Sequence, residues 1–465
     1  MPQHRKTMKR FITPWFESEL DELAGLAHSL RADFPRSATA LRNWDRHCAA
    51  LARNAFETTI AAEMMLDDLA TRLRKICLRV ANLHSISVYR SPPDHEVPRT
   101  SEEHPLDFGY ERDIRPIELE RRAAACAISP PGWSNRHLLF SSGQSALQAI
   151  LLAARRLMPP RKSCSLTHLG SYFETGELVT LLAGTGLFNL GPRQRSEKDA
   201  PQAADIVIYE PVQCTPEGQA KAADQHRYLA AACAAQVPKV LICDSTLCRQ
   251  HFDYPRLLAD VLRLDPVPLV IIFRSGLKLD QAGLELANVG IVTILSASAL
   301  KKDAAGIFAT ELRRIRTLTG SGPSFEDINA LSVPWFLGPQ SDRYADRIFA
   351  NNARVAGRFR ANKELTLSHP ARSEPNLVAP FSLLQLSAQD GATYRQFENA
   401  IDIEAHRRGI LLQRGGSFGF RGHRFQAIVP TRGTPFIRLA IGSRADASHD
   451  KIIEMLGDFP WSAKA

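Results

Sequence analysis

Between residue 14 and about residue 90, apolar positions recur at three- and four-residue spacing with few breakers. The pattern is clearest in Ala24 to Leu30, Ala49 to Phe56 and Thr58 to Val80. That period matches the turn of an α-helix and predicts a helical N-terminal extension. The stretch Ser91-Pro-Pro-Asp-His-Glu-Val-Pro-Arg-Thr-Ser-Glu-Glu-His-Pro is rich in proline and charge and marks a boundary. From about residue 136 the pattern changes to short apolar runs separated by longer helical segments. The runs are Ala204-Asp-Ile-Val-Ile-Tyr, Lys239-Val-Leu-Ile-Cys, Leu269-Val-Ile-Ile-Phe and Val289-Gly-Ile-Val-Thr-Ile-Leu. Unbroken apolar strands with helices between them predict a parallel sheet covered on both faces. Beyond about residue 325 the strands are fewer and more amphipathic, ending in Pro435-Phe-Ile-Arg-Leu-Ala-Ile-Gly and a closing helix from Ser448 to Leu456. The pattern therefore divides the chain into a helical extension (1–95), a large α/β domain (96–325) and a smaller α+β domain (326–465).

A chain of 465 residues with 44% hydrophobic and 23% charged residues has the composition of a globular protein of two or three domains. No run of about 18 apolar residues occurs, so no membrane-spanning helix is expected. The basic start, Met-Pro-Gln-His-Arg-Lys, leads into no apolar signal core, and cytoplasmic residence is the expectation. The eight cysteines are scattered, with no CxxC pair and no metal-ligand spacing, so neither a disulfide framework nor a metal is expected. The formal charge of +9 comes from Lys and Arg spread along the whole chain. A nucleic-acid partner is therefore not expected, whereas an anionic cofactor or substrate accounts for part of the excess.

Ligands of open parallel sheets bind at the carboxyl ends of the strands. Here those ends carry Glu210, Asp244 and Arg274-Ser275, with Lys278 just beyond. An acid closing one strand and a lysine after another suit pyridoxal 5′-phosphate. The lysine amine forms an imine with the cofactor aldehyde, and the carboxylate holds a proton on the pyridine nitrogen. For the phosphate, the run His137-Leu-Leu-Phe-Ser-Ser-Gly-Gln-Ser-Ala reads as strand, turn and helix start. Gly143 permits close approach, and the N–H groups of Gln144 and Ser145 would face an anion. The alternative is a plain helix cap made by Ser142 or Ser141. Tyr172 or Phe173, after Gly170, offers a ring to stack on the pyridine, with Tyr172 preferred.

Together these residues resemble the Cys/Met-metabolism group of fold-type-I pyridoxal-phosphate enzymes, typified by cystathionine γ-synthase, cystathionine γ-lyase and methionine γ-lyase. The ordered motifs are Tyr110-Glu-Arg112 with Pro116 and Glu120, Ser141-Ser-Gly-Gln-Ser-Ala, Tyr172, Glu210-Pro, Asp244-Ser-Thr246, Ser275-x-x-Lys278 and Arg438-Leu-Ala-Ile-Gly442. They cover about residues 105 to 460. The resemblance implies a mostly parallel sheet of the seven-stranded type and assigns roles. Lys278 would be the Schiff-base lysine and proton shuttle, and Asp244 the partner of the ring nitrogen. Tyr172 would stack on the ring, and Thr246 would lie beside it. Ser142, Gly143, Gln144 and Ser275 would seat the phosphate. Tyr110 and Arg112 would reach the cofactor of a neighbouring subunit, which implies a homodimer or homotetramer. Arg438 would hold the substrate α-carboxylate, a task suited to its two-pronged donor.

The chain departs from the group at Leu277, where a threonine is usual, and in the run Leu279-Asp-Gln-Ala-Gly-Leu-Glu that follows the lysine. The expected activity is γ- or β-replacement or elimination on an amino acid with a side-chain leaving group, favoured by Tyr110-x-Arg112 and Asp244-Ser-Thr246. An S-adenosylmethionine-like or O-acyl homoserine donor fits such chemistry. An aminotransferase is the alternative. A cofactor-binding transcription regulator would need a helix-turn-helix within the first 95 residues, where no short turn leads to a basic recognition helix.

Overall fold

The structure, a computed structural model, describes residues 14–33, 38–53, 59–106, 108–127, 130–159, 163–191, 203–214, 220–222, 225–234, 236–300, 302–374, 376–388, 390–430, 433–444 and 448–458. Three helices open it: α1 (Pro14–Asp33), α2 (Ala38–Leu51) and α3 (Thr59–Ser85). Along α3 the buried positions Ala62, Leu66, Leu69, Leu73, Cys77 and Ala81 follow the three–four spacing of one helical face. The second helix begins earlier than the apolar pattern suggests. Leu41 and Trp44 are its buried anchors, and the Trp44 indole donates to the Leu69 carbonyl at 3.2 Å. The chain turns at Ala52-Arg53, and residues 54–56 of the expected helix lie outside the described residues. These helices share one apolar core with Phe325, Trp335 and Phe336 and with Leu279 and Leu284 beside Lys278. The extension is thus built into the protein's core.

Two further helices matter for the site: α4 (Ile117–Cys126) and α5 (Gly143–Leu157). The first nine strands are β1 (Trp133–Phe140), β2 (Ser165–Leu169), β3 (Asn189–Leu190), β4 (Ile206–Tyr209), β5 (Val212–Cys214), β6 (Ala220–Ala222), β7 (Val240–Asp244), β8 (Leu269–Ser275) and β9 (Gly290–Ala297). Seven of them form one sheet in the order β1-β9-β8-β7-β4-β2-β3, and β5 pairs with β6 separately. Neighbours from β8 through β7, β4 and β2 to β3 are parallel, but β9 is antiparallel to both β8 and β1. The apolar run 289–295 was expected to lie parallel with the rest. It reverses because no crossover helix separates it from β8, and a parallel return needs a crossover of a dozen or more residues that spans the sheet.

Alternation along the strands sends side chains to two different cores. Ile206, Ile208, Ile242, Ile271 and Phe273 pack with Leu147 and Ile150 of α5. Val207, Tyr209, Leu241, Cys243, Val270 and Ile272 face Leu257 and Leu258 on the other side. Each such aliphatic side chain contributes roughly 1.5–3 kcal/mol on burial, and the two-sided covering explains why the strands read as unbroken apolar runs. The smaller unit carries β10 (Leu365–Ser368), β11 (Ser382–Leu386), β12 (Leu412–Arg414), β13 (His423–Ile428) and β14 (Phe436–Ala440), in the order β10-β11-β14-β13-β12. Helices Pro339–Arg358, Gly391–Arg407 and Ser448–Asp458 supply buried residues to its core. Among the described residues no helix is long and apolar enough to cross a membrane.

Candidate active site

Because β1, β2, β4, β7 and β8 run the same way, their carboxyl ends gather along one edge of the sheet. A line of contacts follows that edge. The Thr246 N–H donates to Asp244 Oδ1 at 2.9 Å, and the Ser275 N–H donates to Thr246 Oγ1 at 3.1 Å. Helix α5 then meets Ser275 at its first residue, where a Cβ on Gly143 would stand 3.3 Å from the Ser275 Cβ. The helix start is capped in the way the sequence left open. The Ser142 hydroxyl accepts from the Ser145 N–H at 3.0 Å, and the Ser145 hydroxyl accepts from the Ser142 N–H at 2.9 Å. With Ser142 and Ser145 satisfied reciprocally, the N–H groups of Gly143 and Gln144 are the first helical donors outside the capping box, and Gly143 lies beside Ser275.

Asp244 closes β7 at this sheet edge and is part-buried. Burial first, and then the nearby Glu210 carboxylate, push its carboxyl up to about 7, against opposing pulls from Thr246 and His168. Its neighbourhood lacks a full counter-charge, so a cationic nitrogen in the cleft would be bound strongly. Glu210 has a different task. It accepts from His168 Nε2 at 2.8 Å and from the N–H groups of Ser171 and Tyr172 at 2.7 and 3.0 Å. A Cβ on Gly170 would overlap that carboxylate, which is why a glycine precedes the turn. Glu210 thereby positions Tyr172 at the start of α6 (Phe173–Gly184). The Tyr172 hydroxyl donates to Glu174 at 3.2 Å, and burial followed by Glu174 raises its pKa. Phe173 is 56% exposed and points away from the core.

Lys278 lies three residues past Ser275, with its side chain 14% exposed. Its amine stands 3.7 Å from Glu285 Oε1 and 5.5 Å from the centre of the Phe420 ring. Burial holds the amine below the usual lysine range. Glu285 opposes that shift, while Arg424 and Arg438 reinforce it. Arg438, on β14, donates to Gln426 at 2.9 Å and lies 5.8 Å from the centre of the Phe381 ring. Arg274, in contrast, turns away from the cleft. It makes two hydrogen bonds to the buried carboxylate of Asp280, which also accepts from Arg249 at 2.8 Å.

Tyr110 and Arg112 are not brought to Lys278 of the same chain. Tyr110 is 49% exposed, and the Arg112 guanidinium lies 4.9 Å from its ring centre at the protein surface. Glu120, from the same motif, accepts from the buried Arg316 at 2.8 Å and from the Leu139 N–H at 3.2 Å, tying α4 to β1. Sequence reasoning missed Glu285, Arg424, Phe420 and the cap role of Glu210. Glu285 lies in the unusual run after the lysine, which was the one available signal.

No protein-family model matches the chain, and no curated protein matches it in sequence. Solved structures match its fold. A methionine γ-lyase from Micromonospora echinospora aligns with a TM-score of 0.54 at 18% identity, over 79% of this chain and 91% of that one. A cystathionine γ-synthase from Xanthomonas oryzae pv. oryzae, in complex with cystathionine, gives 0.55 at 15% identity, over 83% and 97%. A Campylobacter jejuni structure holding a pyridoxyl-lysine phosphate gives 0.52 at 14% identity, over 76% and 87%. The chain shares the α/β fold of these structures, a mostly parallel sheet with helices on both sides, preceded here by N-terminal helices.

Proposed function

We propose that this protein is a pyridoxal 5′-phosphate-dependent enzyme that acts on an amino acid by γ- or β-replacement or elimination. The observation that carries the reading is the convergence, along one sheet edge, of the part-buried Asp244, the α5 donors and Lys278. These residues fit the cofactor on their own chemistry. The Asp244 carboxyl, raised to about 7, gains from a protonated ring nitrogen, and the N–H groups of Gly143 and Gln144 suit a phosphate. When bound, the cofactor supplies an electron sink for the substrate Cα.

The chain's own residues divide the remaining work. Lys278 holds the cofactor aldehyde, and its amine moves the Cα proton at Nζ. Asp244 keeps the ring nitrogen protonated, and Thr246 orients that carboxylate through its N–H. Ser142, Gly143, Gln144 and Ser275 seat the phosphate, Tyr172 covers the ring, and Arg438 clamps the substrate α-carboxylate. The surface position of Tyr110 and Arg112 supports their reaching the cofactor of the partner subunit in a homodimer or homotetramer. The activities named for the solved structures of the same fold favour replacement or elimination. A donor with a Cγ leaving group, such as an O-acyl homoserine or a sulfonium amino acid, is the substrate class.

The test begins with borohydride reduction of the cofactor-loaded protein, which should tag Lys278 alone, and Lys278→Ala should lose both tag and turnover. Amino acids with side-chain leaving groups should then release them over many turnovers with the cofactor still in its aldehyde oxidation state. Stoichiometric conversion of the cofactor to its amine form, without release, would replace this reading by an aminotransferase.

A further inference from the structure

The run after Lys278 is where the chain departs from the group it resembles, and the structure gives that run a purpose. Residues 276–289 leave the sheet at Ser275 and return at Gly290, its pairing partner. Within them Glu285 adopts φ +47, in the left-handed region that disfavours a residue other than glycine. Such a conformation persists where the surroundings over-determine it, and these do. The buried Gln281 side chain donates to the carbonyls of Gly276 and Ala287 at 2.8 and 2.7 Å. Its oxygen accepts from the N–H groups of Leu286 and Ala287 at 2.6 and 3.1 Å. Arg74, on α3 of the N-terminal extension, closes the cage by donating twice to the Glu285 carbonyl, at 3.2 and 3.1 Å.

The result is a carboxylate held 3.7 Å from the Lys278 amine, 33% exposed and open to the cleft. The other charged groups bearing on that amine are Arg424 of β13 and Arg438 of β14, both cationic. Among the described residues, Glu285 is the anion that acts most strongly on that amine. The extension braces the opposite wall as well. Glu19 of α1 accepts from Arg421 at 2.6 Å, and Arg421 directly follows Phe420, whose ring lies beneath the amine.

Given Lys278 as the reactive lysine proposed above, we infer that Glu285 is a positioning residue that fixes the Lys278 ammonium and holds its proton. The N-terminal extension sets Glu285 in place through Arg74. A free lysine amine that must shuttle a proton between two guanidinium groups loses it readily, and a carboxylate in contact restores the balance.

The test reads the amine without the cofactor. Full-length protein freed of cofactor is acylated with an amine-reactive acetyl ester across a pH series, and Lys278 labelling is followed by peptide mass. Removing the anion in Glu285→Gln should shift the profile to lower pH and make Lys278 label roughly three- to tenfold faster near neutral pH. Glu285→Gly, which suits the left-handed backbone, should shift it equally, separating the charge from any effect on the loop. Glu285→Asp should retain part of the original profile. Arg74→Met should shift it in the same direction by a smaller step. An unchanged profile in both Glu285→Gln and Glu285→Gly overturns the inference, and an unchanged profile in Arg74→Met overturns the link to the extension. A cofactor tag on another lysine would instead defeat the proposed function, and the labelling profile would still report on Glu285.

Discussion

The cleft around Lys278 has two halves that are built in different ways. Along the sheet edge, Asp244, Thr246 and Ser275 sit at or beside strand ends and are joined by hydrogen bonds between backbone and side chain, with the helix-start Gly143 packed against Ser275. Across from them, Phe420, Arg424, Arg438 and Glu285 come from the smaller unit's strands, its connecting loop and the lysine loop. They are braced by N-terminal residues such as Glu19 and Arg74. Secondary structure alone fixes the first half. The second depends on tertiary contacts, an ion pair and side-chain bonds to a backbone carbonyl, between segments hundreds of residues apart, so its geometry rests on the docking of the extension.

If that contrast is sound, the largest effect should come from breaking a brace on the far side. Glu19 is buried, which works to raise its pKa, but Arg421, Arg444 and Arg347 outweigh burial and hold it below the usual carboxylate range. Arg421→Met leaves that carboxylate buried with its main partner gone and should cost about 3–5 kcal/mol. Adding Glu19→Gln should recover part of the loss in chemical denaturation. Full additivity of the two would show that the pair does not act as a unit.

Asp244→Asn should give the next largest effect, in opposite senses with and without cofactor. The Asp244 carboxyl titrates at about 7 when folded, against 3.8 ordinarily. Its proton is therefore bound more tightly in the folded state, and the stability this confers is lost as pH rises from about 4 through 7. Without cofactor, Asp244→Asn should melt higher than the parent at pH 8, by about 2–4 kcal/mol after discount for the open side of the cleft, and the two should converge towards pH 4. Loaded with cofactor, the same variant should lose most of its activity. Equal melting differences at pH 5 and pH 8 would remove Asp244 from this role.

Arg438→Ala should cost about 2–4 kcal/mol in kcat/KM, roughly thirty- to thousand-fold, while cofactor absorbance stays unchanged. An effect confined to kcat with an unaltered KM would argue that Arg438 does not hold the substrate carboxylate. The smallest effect belongs to the sheet edge. Ser275→Ala removes one neutral hydroxyl and should weaken cofactor binding by about 0.5–1.5 kcal/mol in equilibrium titration. A loss several times larger would mean that the sheet edge depends on single side chains as heavily as the far wall does.

Legibility in the sequence follows the same divide. The strands announced themselves because covering on both faces leaves uninterrupted apolar runs, and strand-end residues could then be placed at one edge by topology. The direction of β9 could not be read, since an apolar run carries no polarity, and what decides it is that the connection from β8 holds no crossover α-helix. Residues 14 to about 90 read as helical throughout, but the start of α2 was not marked within them because its buried anchors, Leu41 and Trp44, lie upstream of the clearest periodic stretch. Arg74 and Glu285 were out of reach for a simpler reason. They stand 211 residues apart, and each alone resembles a solvated surface charge. Of Tyr172 and Phe173, the structure places Tyr172 in the turn bonded to Glu210 and leaves Phe173 exposed, a distinction that two adjacent aromatic letters do not carry.

The pairing of Ser275 with Gly290 has an evolutionary consequence. A segment whose two ends meet across adjacent strands is a cassette. Positions between the ends that are not tied to the core, unlike Leu279, Asp280 and Leu284, can be exchanged while both strands keep their register. Sequence drift after the lysine therefore leaves Asp244, Thr246 and Ser275 where they are, and a lineage can reshape what surrounds the amine without rebuilding the sheet that seats the phosphate. In this chain the cassette carries Glu285. Diversification by replacing one loop is the route such an architecture leaves open.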